Sequence, residues 1–327
     1  MTSSNVTTTR ATRTRRVLAF MGENGFIVIF ILWALFLTFN TRNFATTNNL
    51  FTVLRQASII GIVAIGAHLI TLLGALDLSL ASNLTLSGVI MAKLLTEGQI
   101  APVPAALVVL GVGALIGLIN GLVITRLKIN AIIATLGMLS ILEGIAFILT
   151  EGRTIAGREI DPIKFLSTGL VADFLPMPVL LLFVSYALAG LVLGRTTYGA
   201  HIFAIGNNEK AAWLAGIRTD LTKVMTFMLA GTLAAFGGIL QVARQGTATG
   251  GMGADFLFPI LTAVVLGGAS LSGGRGKIFN TLIAAIFLTS ITNGMILLGV
   301  NIYVQRVVSG AILIVALSLD RLRTLRQ

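Results

Sequence analysis

The chain is 327 residues long, with 56% hydrophobic residues, 11% charged residues and a mean hydropathy of +0.96, whereas soluble domains carry roughly 25% charged residues. This composition excludes an ordinary water-soluble domain and places the chain in a bilayer. A formal net charge of +11 does not make it a nucleic-acid binder, because the cations are scattered among apolar runs without aromatic interleaving, and zero cysteines exclude disulfides, thiolate metal sites and cysteine nucleophiles.

Residues 1–22 form a Thr- and Arg-rich arm with no apolar run before Phe26 and no small-residue cleavage site. The arm reads as a disordered cytoplasmic tail, not a signal peptide. Apolar runs then predict ten spans in a single transmembrane domain over 23–320. They lie at Phe26–Phe39, Ala57–Leu73, Leu80–Leu95, Ala105–Thr125, Ala131–Thr150, Pro178–Leu193, Val224–Val242, Pro259–Leu271, Ile278–Leu298 and Val304–Leu319. Several are shorter than the roughly 20 residues of a straight crossing, so broken or re-entrant helices are expected among them. The expected fold class is all-α and polytopic.

Lys and Arg accumulate on the cytoplasmic side of a membrane. Ten alternating spans with the N-terminus inside put 15 of the 23 basic residues there. Both termini, including the tail 321–327, are therefore expected in the cytoplasm, together with the loop 195–223, while the loop 151–175 is expected outside. Both loops are long enough to dock a partner.

Glycines recur within or beside spans, as at Gly111, Gly113, Gly117 and Gly121, and at Gly267, Gly268, Gly273, Gly274 and Gly276. Such spacing lets helices approach closely in lipid, or breaks helices along a translocation path. The pattern Gly74, Asp77, Leu78, Ser79 is echoed by Gly267, Ser270, Leu271, Ser272, which is read as either an internal repeat or coincidence.

Ionisable residues within spans are costly and become functional candidates by default, here His68, Asp77 and Glu143. Asp77 sits at a break between spans, where its carboxylate would either accept from solute hydroxyls or cap the helix beginning near Ser79. Ser79, Asn83, Asn120, Thr135 and Asn293 are the neutral groups, with Asn280, that would suit an uncharged hydroxyl-rich solute or bridge helices. A proton-coupled secondary transporter using His68, Asp77 or Glu143 is the rival reading. An enzyme is not expected, since neither HExxH nor GxSxG occurs.

In the loop 195–223 a polar, alanine-rich stretch, NEKAAWLAGI, is stranded between apolar runs. Asn208 can cap a helix, Glu209 suits its positive N-terminal end, Ala211 and Ala212 give a thin face, and Gly216 can close it in a left-handed conformation. Two turns are too few to be stable alone, so packing and a partner would order them.

The segment TTYGAHIFAIGNNEKAAWLAGI resembles the cytoplasmic coupling segment of permease subunits from binding-protein-dependent ABC importers, in the branch serving ribose, xylose, related monosaccharides and sugar-derived signals. GALDLSLAS from Gly74, GLINGLVITRLKINAIIATLGMLS from Gly117 and AVVLGGASLSGGRGKI from Ala263 agree with it. The resemblance implies a second permease subunit, identical or homologous, an extracytoplasmic solute-binding protein, and a separate cytoplasmic ATPase that carries the ATP and Mg²⁺ and grips Asn208, Glu209, Ala211, Ala212 and Gly216. No cofactor is expected on this chain. It departs from the family pattern at Ala81, Glu143 and Ala200. Leu271–Arg275, LSGGR, nearly spells the ATPase signature, but no phosphate-cradling GxxxxGK[ST] loop accompanies it, so it reads as a membrane-edge turn.

Overall fold

The computed structural model describes residues 26–325. The arm expected at 1–22 and the last two residues of the tail lie outside the described residues. Helices α1 (Phe26–Asn40), α2 (Thr47–Leu72), α3 (Leu80–Thr96), α4 (Pro102–Arg126) and α5 (Ala131–Thr150) lead into a folded connection. It contains β1 (Ile155–Ala156), a 3-10 turn (Arg158–Lys164), α6 (Phe165–Thr168), β2 (Leu170–Val171) and β3 (Leu175–Pro176). Then follow α7 (Met177–Arg195), α8 (Thr197–Asn207), α9 (Glu209–Leu214), α10 (Thr219–Gln245), β4 (Thr247–Ala248), α11 (Leu257–Leu266), α12 (Ile278–Leu297) and α13 (Ile302–Leu325).

Among the described residues six helices are long and apolar enough to cross a membrane, namely α2, α4, α5, α7, α10 and α12. Phe26–Asn40, Leu80–Thr96, Ala254–Leu266 and Ile302–Ser318 are shorter apolar helices. The elements start and stop where local chemistry says they should. The Asn130 side chain accepts from the Ile132 amide at 2.9 Å to begin α5, and proline occupies the first turn of α4 and of α7, where no amide hydrogen is needed. Helix α2 begins ten residues earlier than its apolar run, because its first turns are polar and Thr46 caps them. Helix α11 stops at Leu266, short of the expected Leu271, because Gly268 turns left-handed (φ +84°) and the Gly268 and Ala269 amides close a C-terminal turn.

Helices α2 and α10 form the centre. Helix α10 packs on α4, α3 and α2, while α2 also meets α12, α7 and α11. Gly113, Gly117 and Gly121 of α4 press directly on α10, and a Cβ at Gly117 would lie 2.1 Å from the Phe227 carbonyl oxygen. The bundle has two ends. One holds the α4–α5 turn, α8, α9 and the α11–α12 turn, with Lys128 paired to Asp220 at 3.7 Å. The other holds the strands: β1 pairs antiparallel with β4 and β2 with β3, and Lys93 Nζ donates to the Leu149 carbonyl at 3.0 Å. The loop 151–175 is thus compact, with Ile160 and Ile163 buried.

Candidate functional site

The short helix read from NEKAAWLAGI is present as α9. Asn208 is extended (φ −160°, ψ 100°) and its side chain accepts from the Ala211 amide at 3.0 Å, while Gly216 is left-handed (φ +85°) beyond the end. The Gly216 and Ile217 amides donate to the Trp213 and Ala212 carbonyls, satisfying groups that a six-residue helix would otherwise leave open. Ala212 faces inward and is buried, whereas Ala211, Trp213 and Leu214 face out. Glu209, in the first turn, pairs with Lys223 of α10 at 2.6 Å. That pair ties α9 to the start of a span, and sequence reasoning missed it because its halves belong to separate elements.

Helix α8 delivers α9 to a junction of backbones. The chain breaks after α2 and after α11 meet there: the Gly274 amide donates to the Leu72 carbonyl at 2.9 Å. Gly206, near the end of α8, fits between them so closely that a Cβ would lie 1.9 Å from the Leu72 oxygen and 2.4 Å from the Gly274 nitrogen. Both breaks repeat one design. Each opens with a left-handed glycine, Gly74 or Gly268, and continues with a side chain that accepts from the amide two residues on, Asp77 from Ser79 at 2.8 Å and Ser270 from Ser272 at 3.3 Å. The echo seen in the sequence is therefore structural, with the left-handed glycine one position later in the second copy.

Four of the expected path residues converge where α3 begins. The Asp77 carboxylate, 4% exposed, accepts from the Ser79 amide and hydroxyl (2.8 and 2.6 Å) and from Asn120 Nδ2 at 3.4 Å. Asn120 also donates to the Ser79 hydroxyl at 2.9 Å, and the Thr135 hydroxyl accepts the Leu78 amide at 3.1 Å. Asp77 lies two residues before Ser79, the residue flanking α3, so its contact is a turn leading into the helix and not a cap on it. Asn83, one turn on, donates to the Gly231 carbonyl at 3.2 Å and accepts from Ser87.

The other candidates lie apart. Asn293 exchanges two amide hydrogen bonds with Asn49 (2.9 and 3.0 Å), bridging α12 to α2. Glu143, on α5, is half-buried and makes no hydrogen bond or ion pair among the described residues. His68 Nδ1 meets the Thr281 hydroxyl at 2.8 Å, which ties α2 to α12, and its Nε2 has no partner.

Residues 49–317 match the family described as the permease component of the branched-chain amino acid transport system. The chain belongs to this permease family. It is 34% identical over 303 residues to the ribose import permease protein of Escherichia coli (strain K12), covering 92% of this chain and 94% of that one. The ribose import permease protein of Bacillus subtilis (strain 168) is 35% identical over 297 residues, covering 90% of this chain and 91% of its own. The galactose/methyl galactoside import permease protein of Escherichia coli (strain K12) is 33% identical over 327 residues, covering 95% and 97%. No solved structure matches at a significant level.

Family membership makes this permease a multi-pass protein of the bacterial cytoplasmic membrane and a transport component, not an enzyme. Its LSGGR stretch lies in the turn between α11 and α12, against Gly206 and Leu72.

Proposed function

We propose that this permease is the membrane subunit of an ABC importer for a monosaccharide or a similar small polyhydroxylated solute, working by alternating access driven by a separate ATPase that carries ATP and Mg²⁺. It has ten spans, α1 to α5, α7 and α10 to α13, with both termini cytoplasmic. Asn208, Glu209, Ala211, Ala212 and Gly216 couple it to the ATPase. A second permease subunit, identical or homologous, completes the pore, and an extracytoplasmic binding protein docks on 151–175. The import permeases for ribose, allose and galactose among its relatives support the solute class.

The observation that carries this reading is α9 itself. A helix too short to stand alone is capped at Asn208, ion-paired to α10 through Glu209, and continuous with α8, whose end abuts both chain breaks. Pressure on α9 reaches the spans through backbone contacts that cannot yield. Along the path, Asp77, Ser79 and Asn120 bond one another and Thr135 bonds the backbone of Leu78 and Ala131, so they form its wall, and Glu143 is the carboxylate left to meet solute.

Replacing 208–216 by a Gly/Ser stretch of equal length tests the assignment. The variant permease is expected to reach the membrane yet lose both ATPase co-purification and ATP-dependent uptake. Retention of both by the replaced chain defeats the coupling role.

A further inference from the structure

Beside α9 lies a cleft of about 350 Å³, walled by the last turn of α4, the first turns of α10 and the Trp213 side chain. Leu122, Leu221 and Val224 give it apolar lining, and Asp220 lines it together with two arginines, Arg126 and Arg218. Two acids beside the cleft are already engaged, Glu209 with Lys223 at 2.6 Å and Asp220 with Lys128 at 3.7 Å. Arg126 and Arg218 make no side-chain hydrogen bond or ion pair among the described residues. Above them Trp213 and Leu214 are 64% and 70% exposed, an apolar tip continuous with the cleft.

Exposed tryptophan beside unpaired arginine over an apolar pocket is the composition of a binding hot spot, where a few desolvated anchors carry most of the affinity. With Asp220 paired to Lys128, the charge left over is positive at both arginines, so the complement is anionic. We infer that this cleft receives an acidic segment of the partner ATPase, one that sets a carboxylate against Arg126 and Arg218 and an apolar side chain against Leu122 and Val224. The inference rests on the coupling reading of α9 and extends it. The ATPase does not only hold the lever, it also seats part of itself in the permease between α4 and α10. A guanidinium pair suits this role because its planar donors bind a carboxylate in two parallel bonds, which fixes orientation as well as contact.

The test reverses the rim charges in the assembled importer, as Arg126→Glu/Arg218→Glu, and measures how much of the co-expressed ATPase is retained at low and high salt, together with the phospholipid that co-purifies. At least a tenfold loss of retained ATPase is expected at low salt, with the salt dependence of the unaltered complex abolished and Arg126→Lys/Arg218→Lys, which keeps the charge but not the two parallel bonds, restoring only part of the retention. Full retention overturns the inference, and if anionic phospholipid is lost instead, the cleft is a headgroup site. Should the reversed pair fail to accumulate, Arg126→Gln/Arg218→Gln gives the reading, with unchanged retention again overturning it. The coupling role stands or falls separately, on the replacement of 208–216.

Discussion

A buried carboxylate surrounded by neutral donors is an expensive residue to keep. Among the described residues Asp77 pairs with no cation, and its carboxylate accepts from the Ser79 amide, the Ser79 hydroxyl and the Asn120 amide. Taking it away strands those donors in a buried site, which costs about 1–3 kcal/mol. Asp77→Ala is therefore expected to lower the thermal midpoint of the detergent-solubilised permease. Asn120→Ala, which removes one donor and leaves two, should lower it less. Uptake by Asp77→Asn should fall with the amount of folded protein while KM for the solute stays put, because this carboxylate is buried and bonded to Ser79 and Asn120. A raised KM with normal protein levels would return Asp77 to direct solute contact. Glu143 is the contrasting case. With no partner among the described residues, Glu143→Gln should leave the thermal midpoint unchanged and alter KM, and an unaltered KM would take it out of the path.

Helices α4 and α10 approach so closely that only hydrogen fits at three points. A methyl at Gly117 would meet the Phe227 carbonyl oxygen at 2.1 Å and the Met228 Cα at 2.8 Å, both backbone, so the helices themselves must part. Gly117→Ala is expected to cost about 1–3 kcal/mol, as overpacking does, and to reduce uptake. Gly111→Ala, four angströms or more from any neighbour, should lose nothing and gains the helix preference of alanine. Equal loss at both sites would mean that flexibility, not close approach, is what these glycines supply. The same elements explain what could be read without coordinates. Ala131–Thr150 is found at the bounds its apolar run predicts, since Asn130 caps it locally and Glu151 turns left-handed after it. The short α9 was legible for the same reason, Asn208 and Gly216 being rules of local sequence. The Glu209–Lys223 pair and the wedge of Gly206 between Leu72 and Gly274 were not legible, because each joins segments brought together only by packing. The start of α2 was missed because its first turns are polar, which an apolar run cannot reveal.

Between its first and last helices the molecule is not polarised by its cations. The end that holds α9 carries Arg126, Lys128, Arg195, Lys210, Arg218, Lys223, Arg275 and Lys277, and the strand end carries Arg42, Arg55, Lys93, Arg153, Arg158, Lys164, Arg244 and Arg306, eight against eight. What breaks the tie is the seven basic residues of the terminal segments, Arg10, Arg13, Arg15 and Arg16 before α1 and Arg321, Arg323 and Arg326 at the close. On the proposed reading of ten alternating spans both termini share the α9 side, and these cations then count with α9 for the cytoplasm. The chain has no cysteine, which makes the consequence directly measurable. Phe174→Cys, at a site 66% exposed on the strand end, is expected to react with a membrane-impermeant maleimide on intact cells. Ala215→Cys, exposed just past α9, should react only in inverted vesicles. The reverse pattern would put α9 where no ATPase can reach it and would end the coupling mechanism, whereas the expected one fixes the sidedness of the connections, because each of the ten proposed spans returns the chain to the opposite end while α6, α8 and α9 stay at theirs.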